Sequence, residues 1–375
     1  MGTLRFAHPT NYNHPMPIDR QTAFSGTKDV AEPLRFDAAA LEAYLAAHAE
    51  GFAGPLTVRQ FKGGQSNPTY LLETPTRKYV LRRKPPGKLL PSAHAVDREF
   101  RVISALCAHG FPVAAPVLYC DDPAVVGTAF YVMSFVAGRV FWEPQMTGSS
   151  PAERAAVYDE LNATIARLHS FDPAAIGLEN FGRGENYVAR QVDRWSKQYR
   201  ASQTETVDEM ERLIAWLPAH LPPAGPIRLV HGDYRLDNVI VAPDSPKILA
   251  VLDWELSTLG DPLADFSYHL MKWHTPPSDT GASTGTLVGH DLAALGIPSL
   301  ERYVDAYVVR TGLDPRPHLP VYLAYNFFRI AAIYQGIVGR ARDGTATSEH
   351  APAKATMVQP YAATAWRFAQ AAGAR

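Results

Sequence analysis

Apolar positions along this chain recur with two periods, and the change of period divides it. A helical spacing of Phe36, Leu41, Tyr44 and Leu45 runs through "FDAAALEAYLAAHAEGF", with Asp37 placed to cap its start. The period then shortens. "PLTVRQF", "TYLLETP" and "RKYVLRRK" are short, β-branched or aromatic, and separated by Gly, Pro and Thr turns, which predicts an antiparallel sheet. "SAHAVDREFRVISALCAHG" returns to helical spacing, with Ser92 as N-cap candidate, Val96, Phe100, Ile103 and Cys107 along one stripe, and Gly110 as the stop. "TAFYVMSFVAGRV" reads as a continuous buried strand ending at Gly138.

Beyond that strand the pattern is helical. "SPAERAAVYDELNATIARLHSF" opens with a Ser150 to Glu153 capping box and Pro151 at the first helical position, and its buried positions are Val157, Leu161, Thr164 or Ile165, and Leu168. Residues 185–218 and 299–340 also read as helix, and a Gly, Ser, Thr and Pro-rich stretch over 275–290 reads as a loop. Residues up to about 33 show no sustained period and read as an arm on or off the surface. Strands and helices segregate along the chain, so the fold class is α+β, with an antiparallel sheet plus a helix first and a mainly helical part after it.

Composition narrows the function. A chain of 375 residues with 36 Lys plus Arg against 37 Asp plus Glu carries no electrostatic footprint for nucleic acid or an anionic membrane. Two cysteines, Cys107 and Cys120, make no disulfide framework and no zinc spacing, which fits a reduced, cytoplasmic setting. The first twenty residues lack the apolar core of a signal peptide, and no run of 18 apolar residues predicts a membrane span.

Candidate chemistry lies between two apolar runs, in "LVHGDYRLDNVIV" and "ILAVLDWELSTLGDPLADF". His231, Asp233 and Asn238 have the spacing H-x-D-x-x-x-x-N, and Asp253 ends the next predicted strand. Phosphoryl transfer to a hydroxyl needs one carboxylate beside the nucleophile, and an amide plus a second carboxylate on the metals that bridge the phosphates. Either Asp233 or Asn238 alone would serve as an Asx turn; the whole set in register between buried strands favours chemistry. Two other classes fail on residues. A metallophosphatase G-D-x-x-D pattern meets Leu at position 236, and the P-loop pattern G-K-[ST] meets Leu in "PPGKLL".

Upstream lie features suited to ATP. Gly63 and Gly64 sit in a turn where backbone N–H groups can approach phosphate, with Ser66 and Asn67 as donors. "YVLRRK" supplies a cation, Glu99 its partner, and the strand from Phe130 to Phe135 an adenine-side wall that includes Met133. In the last long helix Asn326, Arg329, Gly336 and Arg340 share a stripe, and a buried arginine there needs an anionic partner, either internal or on a substrate.

"FKGGQSNPTYLLE", "FYVMSFVAGRV", "HGDYRLDNVI", "VLDWELSTLGDPLADFSY" and "NFFRIAAIYQGIVGRA" carry a resemblance. Over about 34–340 the chain resembles the aminoglycoside phosphotransferase and choline kinase-like family, a branch of the two-lobed protein kinase-like fold. More narrowly, it is similar to the kinase-like domain fused ahead of some acyl-CoA dehydrogenases. The resemblance implies an arm over 1–33, a nucleotide-binding lobe over 34–136 and a catalytic and substrate-binding lobe over 137–375. It implies Asp233 as catalytic base, Asn238 and Asp253 as magnesium ligands, Asp265 as a brace for the loop, and His231 as an orienting residue. Where protein kinases place a strand lysine, the aligned position is Arg82, with Lys84 two residues on along the same face; which of them pairs with Glu99 stays open. ATP and Mg²⁺ are the implied cofactors, and a small-molecule hydroxyl is the implied acceptor. Two arginines argue against a polycationic aminoglycoside and for an anionic acceptor such as a hydroxyacyl-coenzyme A or a hydroxy acid. A kinase of an aminoglycoside or amino alcohol, and a nucleotide-binding module without turnover, are the competing readings.

Overall fold

Strand alternation sets the architecture of the first third of the chain. The computed structural model describes residues 20–62, 67–87, 94–278, 285–343 and 351–375. Within it β1 (Thr27–Lys28), β2 (Thr57–Phe61), β3 (Thr69–Glu73), β4 (Lys78–Arg83), β5 (Pro116–Cys120) and β6 (Phe130–Ser134) form one antiparallel sheet in the order β1-β2-β3-β4-β6-β5. Tyr70, Leu72, Tyr79, Leu81, Phe130 and Val132 take one face, under Leu41 and Leu45 of helix α2 (Ala38–His48). Asp37 caps α2 as expected, accepting from Ala39 N and Ala40 N. The period of two then turns Val80, Arg82, Tyr131 and Met133 to the other face. That face carries the site.

Helix α3 (Val96–Ala108) packs under this second face, and Gly110 ends it at φ +69°. Its buried stripe is Val96, Glu99, Val102, Ile103 and Leu106, rotated from the expected one, so that Phe100 and Cys107 are only partly covered. The N-cap candidate Ser92 lies outside the described residues, and Ala95 at the cap offers no side-chain bond. Two further differences concern the sheet. Strand β6 stops at Ser134 rather than Gly138, and β5, which opens on Pro116, adds a strand to the expected set. Short helices α1 (Arg20–Phe24) and α4 (Pro123–Val126) flank the sheet.

The rest is mainly helical. Ser150 caps α5 (Pro151–Ser170) by accepting from Glu153 N, and Val157, Leu161, Thr164, Ile165 and Leu168 are all buried. Each fully buried leucine there contributes roughly 1.5–3 kcal/mol relative to exposure. The expected helix over 185–218 is two, α6 (Tyr187–Ser202) and α7 (Asp208–Trp216). So is the one over 299–340. After the short α9 (Leu292–Leu295), α10 (Leu300–Thr311) ends at Gly312 in the left-handed region, and α11 (Leu319–Arg342) follows. Helix α12 (Ala351–Ala371) packs along α11 and was not expected. Part of the expected loop over 275–290, residues 279–284, lies outside the described residues. Among the described residues no helix is long and apolar enough to cross a membrane.

Two small hairpin-like pairs sit between the sheet and these helices. Strand β7 (Arg228–Val230) pairs with β10 (Thr258–Gly260), and β8 (Val239–Val241) with β9 (Ile248–Val251). Helix α8 (Pro262–Leu270) follows β10 and carries Asp265, Tyr268 and His269 inward. His269 Nε2 and the Tyr303 hydroxyl are 2.7 Å apart in this core, and burial pushes the imidazole from 6.5 down to about 4. A histidine held neutral by folding binds fewer protons than the unfolded chain between those values, so stability is full above the upper one and falls as pH drops toward the lower. Going from pH 7.5 to pH 5 should therefore cost about 2 kcal/mol through this group. Urea unfolding of wild type and His269→Gln at both pH values measures it, and an identical pH slope in the two proteins would refute the assignment.

Candidate active site

A cleft of about 1130 Å³ opens between the sheet and the helical part. Val80, Arg82 and Met133 line it from the sheet, Phe135 from the segment after β6, and Asn238 and Asp253 from the strand pairs. Sequence neighbours make the first half of the site. His231, after β7, has its backbone N–H on Asp265 Oδ2 at 2.7 Å, and Gly232 N–H donates to Asp265 Oδ1 at 2.8 Å. Gly232 sits at φ +83°, and a Cβ there would come within 2.8 Å of Leu256 O, so both conformation and space require glycine. With its proton on Nε2, the His231 ring donates to Leu252 O (2.8 Å) and accepts from Asp233 N–H at Nδ1 (3.1 Å). Both ring nitrogens are thereby engaged in holding the loop.

Asp233 is held by two hydrogen-bond donors and one ion pair. Tyr268 hydroxyl donates to Oδ1, Asn238 Nδ2 donates to Oδ2 at 3.0 Å, and Arg235 Nε lies 3.2 Å from Oδ1. Asn238 Nδ2 also reaches Asp233 O at 2.9 Å, which turns its amide oxygen away from the carboxylate. Leu252 N–H donates to Asn238 O at 2.8 Å, so the residue before Asp253 is tied to the loop that holds Asp233. Asp253 itself takes φ +63°, a conformation that costs a non-glycine residue about 1–3 kcal/mol and is kept only where the surroundings impose it.

The second half of the site comes from far along the chain. Arg82 Nη2 lies 2.7 Å from Asp253 Oδ1 and 3.4 Å from Glu255 Oε2, while its Nε lies 3.0 Å from Glu99 Oε2. The open choice between the two cations is thereby resolved: Arg82, inside β4, makes the Glu99 pair, and Lys84 follows the strand's last residue. Burial pushes the Glu99 carboxyl above its ordinary range, Arg82 pulls it back, and Asp253 raises it again. Tyr131 hydroxyl (3.0 Å) and Asn67 Nδ2 (2.8 Å) donate to the same carboxylate.

Several expected residues lie elsewhere. Gly63, Gly64 and Ser66 fall outside the described residues. Asn67 is buried with its amide engaged by Glu99 and by His94 Nδ1 (2.8 Å), so it braces Glu99 instead of facing phosphate. Asn326 Nδ2 donates to Ala264 O at 3.0 Å, which ties α11 to α8. Arg329 is buried as expected, but its Nη2 donates to the Gly232 carbonyl at 2.8 Å and its guanidinium lies 5.1 Å from the Tyr268 ring centre. Arg340 is exposed. Eleven residues of helix separate it from Arg329 by about 16 Å, so a shared stripe did not mean a shared site. With Arg329 buried on a backbone carbonyl and Arg340 exposed, the two arginines do not form one site for an anionic acceptor.

Sequence reading passed over Arg235, Tyr268 and Glu255. Arg235 lies within the quoted motif, and its position between Asp233 and Asp237 (3.4 Å from the latter) was open to inspection. Tyr268 ends the quoted "VLDWELSTLGDPLADFSY", but 35 positions separate it from Asp233 and nothing local ties the two together.

The site offers a divalent metal hard oxygen atoms, from the Asp253 carboxylate, about a third exposed, and the Asn238 amide. Among the described residues no group of three or more His, Cys, Asp or Glu side chains could hold a metal ion. Asp253 with Asn238 is a set of the size magnesium uses, since that ion takes one or two carboxylates from the protein and completes its shell with phosphate and water.

Comparison with known proteins places this geometry. A sequence model of the phosphotransferase enzyme family matches residues 57–309. Acyl-CoA dehydrogenase family member 10 of Mus musculus is 42% identical over 356 residues, covering 93% of this chain and 33% of its own. Acyl-CoA dehydrogenase family member 11 of Rattus norvegicus is 44% identical over 347 residues, covering 90% and 44%. This chain thus spans less than half the length of these relatives. A crystal structure from Ralstonia eutropha, provisionally named an aminoglycoside phosphotransferase, is 49% identical with a TM-score of 0.81, covering 90% of this chain and 99% of that one. The aminoglycoside phosphotransferase APH(4)-Ia, solved in ternary complex with ADP and hygromycin B, shares the fold at a TM-score of 0.56 and 15% identity, over 88% of this chain and 98% of its own.

Proposed function

The chain belongs to the phosphotransferase enzyme family, whose members transfer phosphate to an alcohol group, and from that premise we propose that it moves the γ-phosphate of ATP to a small-molecule hydroxyl. In this reading residues 34–136 hold the nucleotide and 137–375 supply the catalytic loop and the acceptor site. The observation that carries it is the chain of bonds from Asp233 through Asn238 to the strand end before Asp253, at the wall of a cleft large enough for a nucleotide.

Asp233 accepts the acceptor's hydroxyl proton as the new oxygen–phosphorus bond forms and the bond from the γ-phosphorus to the bridging oxygen breaks, with ADP leaving. Tyr268, Arg235 and Asn238 orient its carboxylate, and Asp265 holds the backbone beneath it. Asn238 and Asp253 would hold Mg²⁺, which when bound supplies positive charge to the phosphoryl oxygens. Arg82, fixed by Glu99, grips phosphate with a planar fork that stays charged at every working pH.

Kinship with chains named for acyl-CoA dehydrogenases supports an acceptor hydroxyl on an acyl group carried by coenzyme A. Labelled ATP offered with hydroxyacyl-coenzyme A, free hydroxy acids, amino alcohols and sugars tests this, with label expected on the first class. Transfer to none of them, despite tight nucleotide binding, would overturn the catalytic reading.

Metal dependence gives a separate check. At about 100 times its dissociation constant, ATP with Mg²⁺ should stabilise the wild type by roughly 2.7 kcal/mol. Asp253→Asn should lose most of the magnesium-dependent part of that gain while leaving any magnesium-independent part in place. Equal magnesium-dependent shifts in the two proteins would remove Asp253 from the metal site.

A further inference from the structure

The family match begins at residue 57, yet the cleft has a wall built from residues well before it. Gln21, Phe24, Ser25 and Gly26 line the same cavity as Arg82 and Asp253. One end of this segment is fastened to the sheet. Thr27 and Lys28 pair with Phe61 and Gln60, Lys62 N–H donates to Gly26 O at 3.1 Å, and Arg59 Nε donates to Thr27 Oγ1 at 3.0 Å. The other end is fastened across the cleft, to the chain beyond β6. Gln21 Nε2 donates to Val140 O at 3.1 Å, Trp142 Nε1 donates to Ser25 Oγ at 3.2 Å, and the Phe24 and Trp142 ring centres are 5.2 Å apart. Gly26, at φ +81°, makes the bend between the two attachments, with no atom within 4 Å of where a Cβ would stand. Conformation, and not space, is what glycine supplies there.

We infer that residues 20–28 are a nucleotide-binding strap: they close the side of the cleft that the sheet and the segment after β6 leave open, with Trp142 as the docking post, and they retain the nucleoside of the bound triphosphate. The chemistry matches that ligand. Phe24 and Trp142 offer aromatic surface to a base, and Ser25 and Gln21 offer polar atoms for a ribose. The strap also ties the sheet to the helical part at the cleft's edge, so its docking and the approach of the two sides to the nucleotide are one event. Corresponding residues cannot be supplied by the matched region alone, because the strap precedes it.

This inference rests on the nucleotide-binding reading above, and one experiment separates the two. The dissociation constant and off-rate of Mg-ATP are measured by calorimetry and stopped-flow on the full chain as wild type, Phe24→Ala, Trp142→Ala and Trp142→Phe. Loss of one aromatic contact should weaken binding about three- to tenfold in both alanine variants, mainly through faster release. Trp142→Phe keeps the ring contact and loses only the N–H, so it should bind closer to wild type; should Trp142→Ala fail to fold, Phe24→Ala carries the test. Wild type that binds no Mg-ATP would defeat the nucleotide reading itself. Wild type that binds, with Phe24→Ala and the folded Trp142 variants all within twofold of it, would defeat the strap alone.

Discussion

Asp233→Asn should lower phosphoryl transfer about 10²- to 10⁴-fold while leaving Mg-ATP affinity close to wild type. An asparagine fills the same space and can still accept from Tyr268, but it has no carboxylate to take the acceptor's proton. Arg235 loses one of its two carboxylates and retains Asp237 at 3.4 Å, so the buried guanidinium is not stranded. The protein should therefore fold, and the loss should appear in kcat with nucleotide binding as the internal control. Turnover within threefold of wild type would remove Asp233 from the role of base. A parallel collapse of nucleotide binding would instead point to a disordered loop.

Asp265→Ala should destabilise the fold by about 3–5 kcal/mol, the cost of breaking a buried polar cluster by deleting its acceptor. The Asp265 side chain is fully buried and accepts from His231 N–H, Gly232 N–H and His169 Nε2 (3.2 Å). Burial pushes its carboxyl up, but the hydrogen bonds from His169 and from the backbone N–H of His231 outweigh it, and the group is held below the ordinary carboxylate range. A depressed carboxylate contributes fully above its unfolded value and loses that contribution as pH falls through the folded one, so the effect of the substitution is largest at neutral pH and shrinks in acid. Urea denaturation at neutral and acidic pH measures both features. A change below about 1 kcal/mol at neutral pH would show that the two loop N–H groups find other acceptors.

How much of this was legible followed from the distance over which each contact acts. Asp233 and Asn238 are five residues apart on one short loop, so spacing alone marked them as partners, and the structure adds the hydrogen bond between them. The Ser150 and Asp37 caps were readable for the same reason, as were the buried positions of α5. Helix α10 stops where "TGLDPRP" places Gly312 and two prolines, a signal that was present and that the apolar period over 299–340 overrode. Arg329 and Arg340 mark the opposite failure. Helical periodicity reports direction around an axis and says nothing of depth along it, and the two residues share a direction while only the first is buried.

From the order of its residues alone, this protein had its α+β class, its H-x-D-x-x-x-x-N spacing and the alternation that sets Arg82 and Lys84 on one face of their strand. Those are local properties, set by backbone geometry over a few residues. Tertiary structure decided that Arg82 meets Asp253 across 171 positions, that Asn67 supports Glu99, that Tyr268 holds Asp233, and that residues 20–28 reach Trp142. Such partners are chosen by how the sheet and helices pack their apolar faces, and the same polar side chains in another packing would meet different groups.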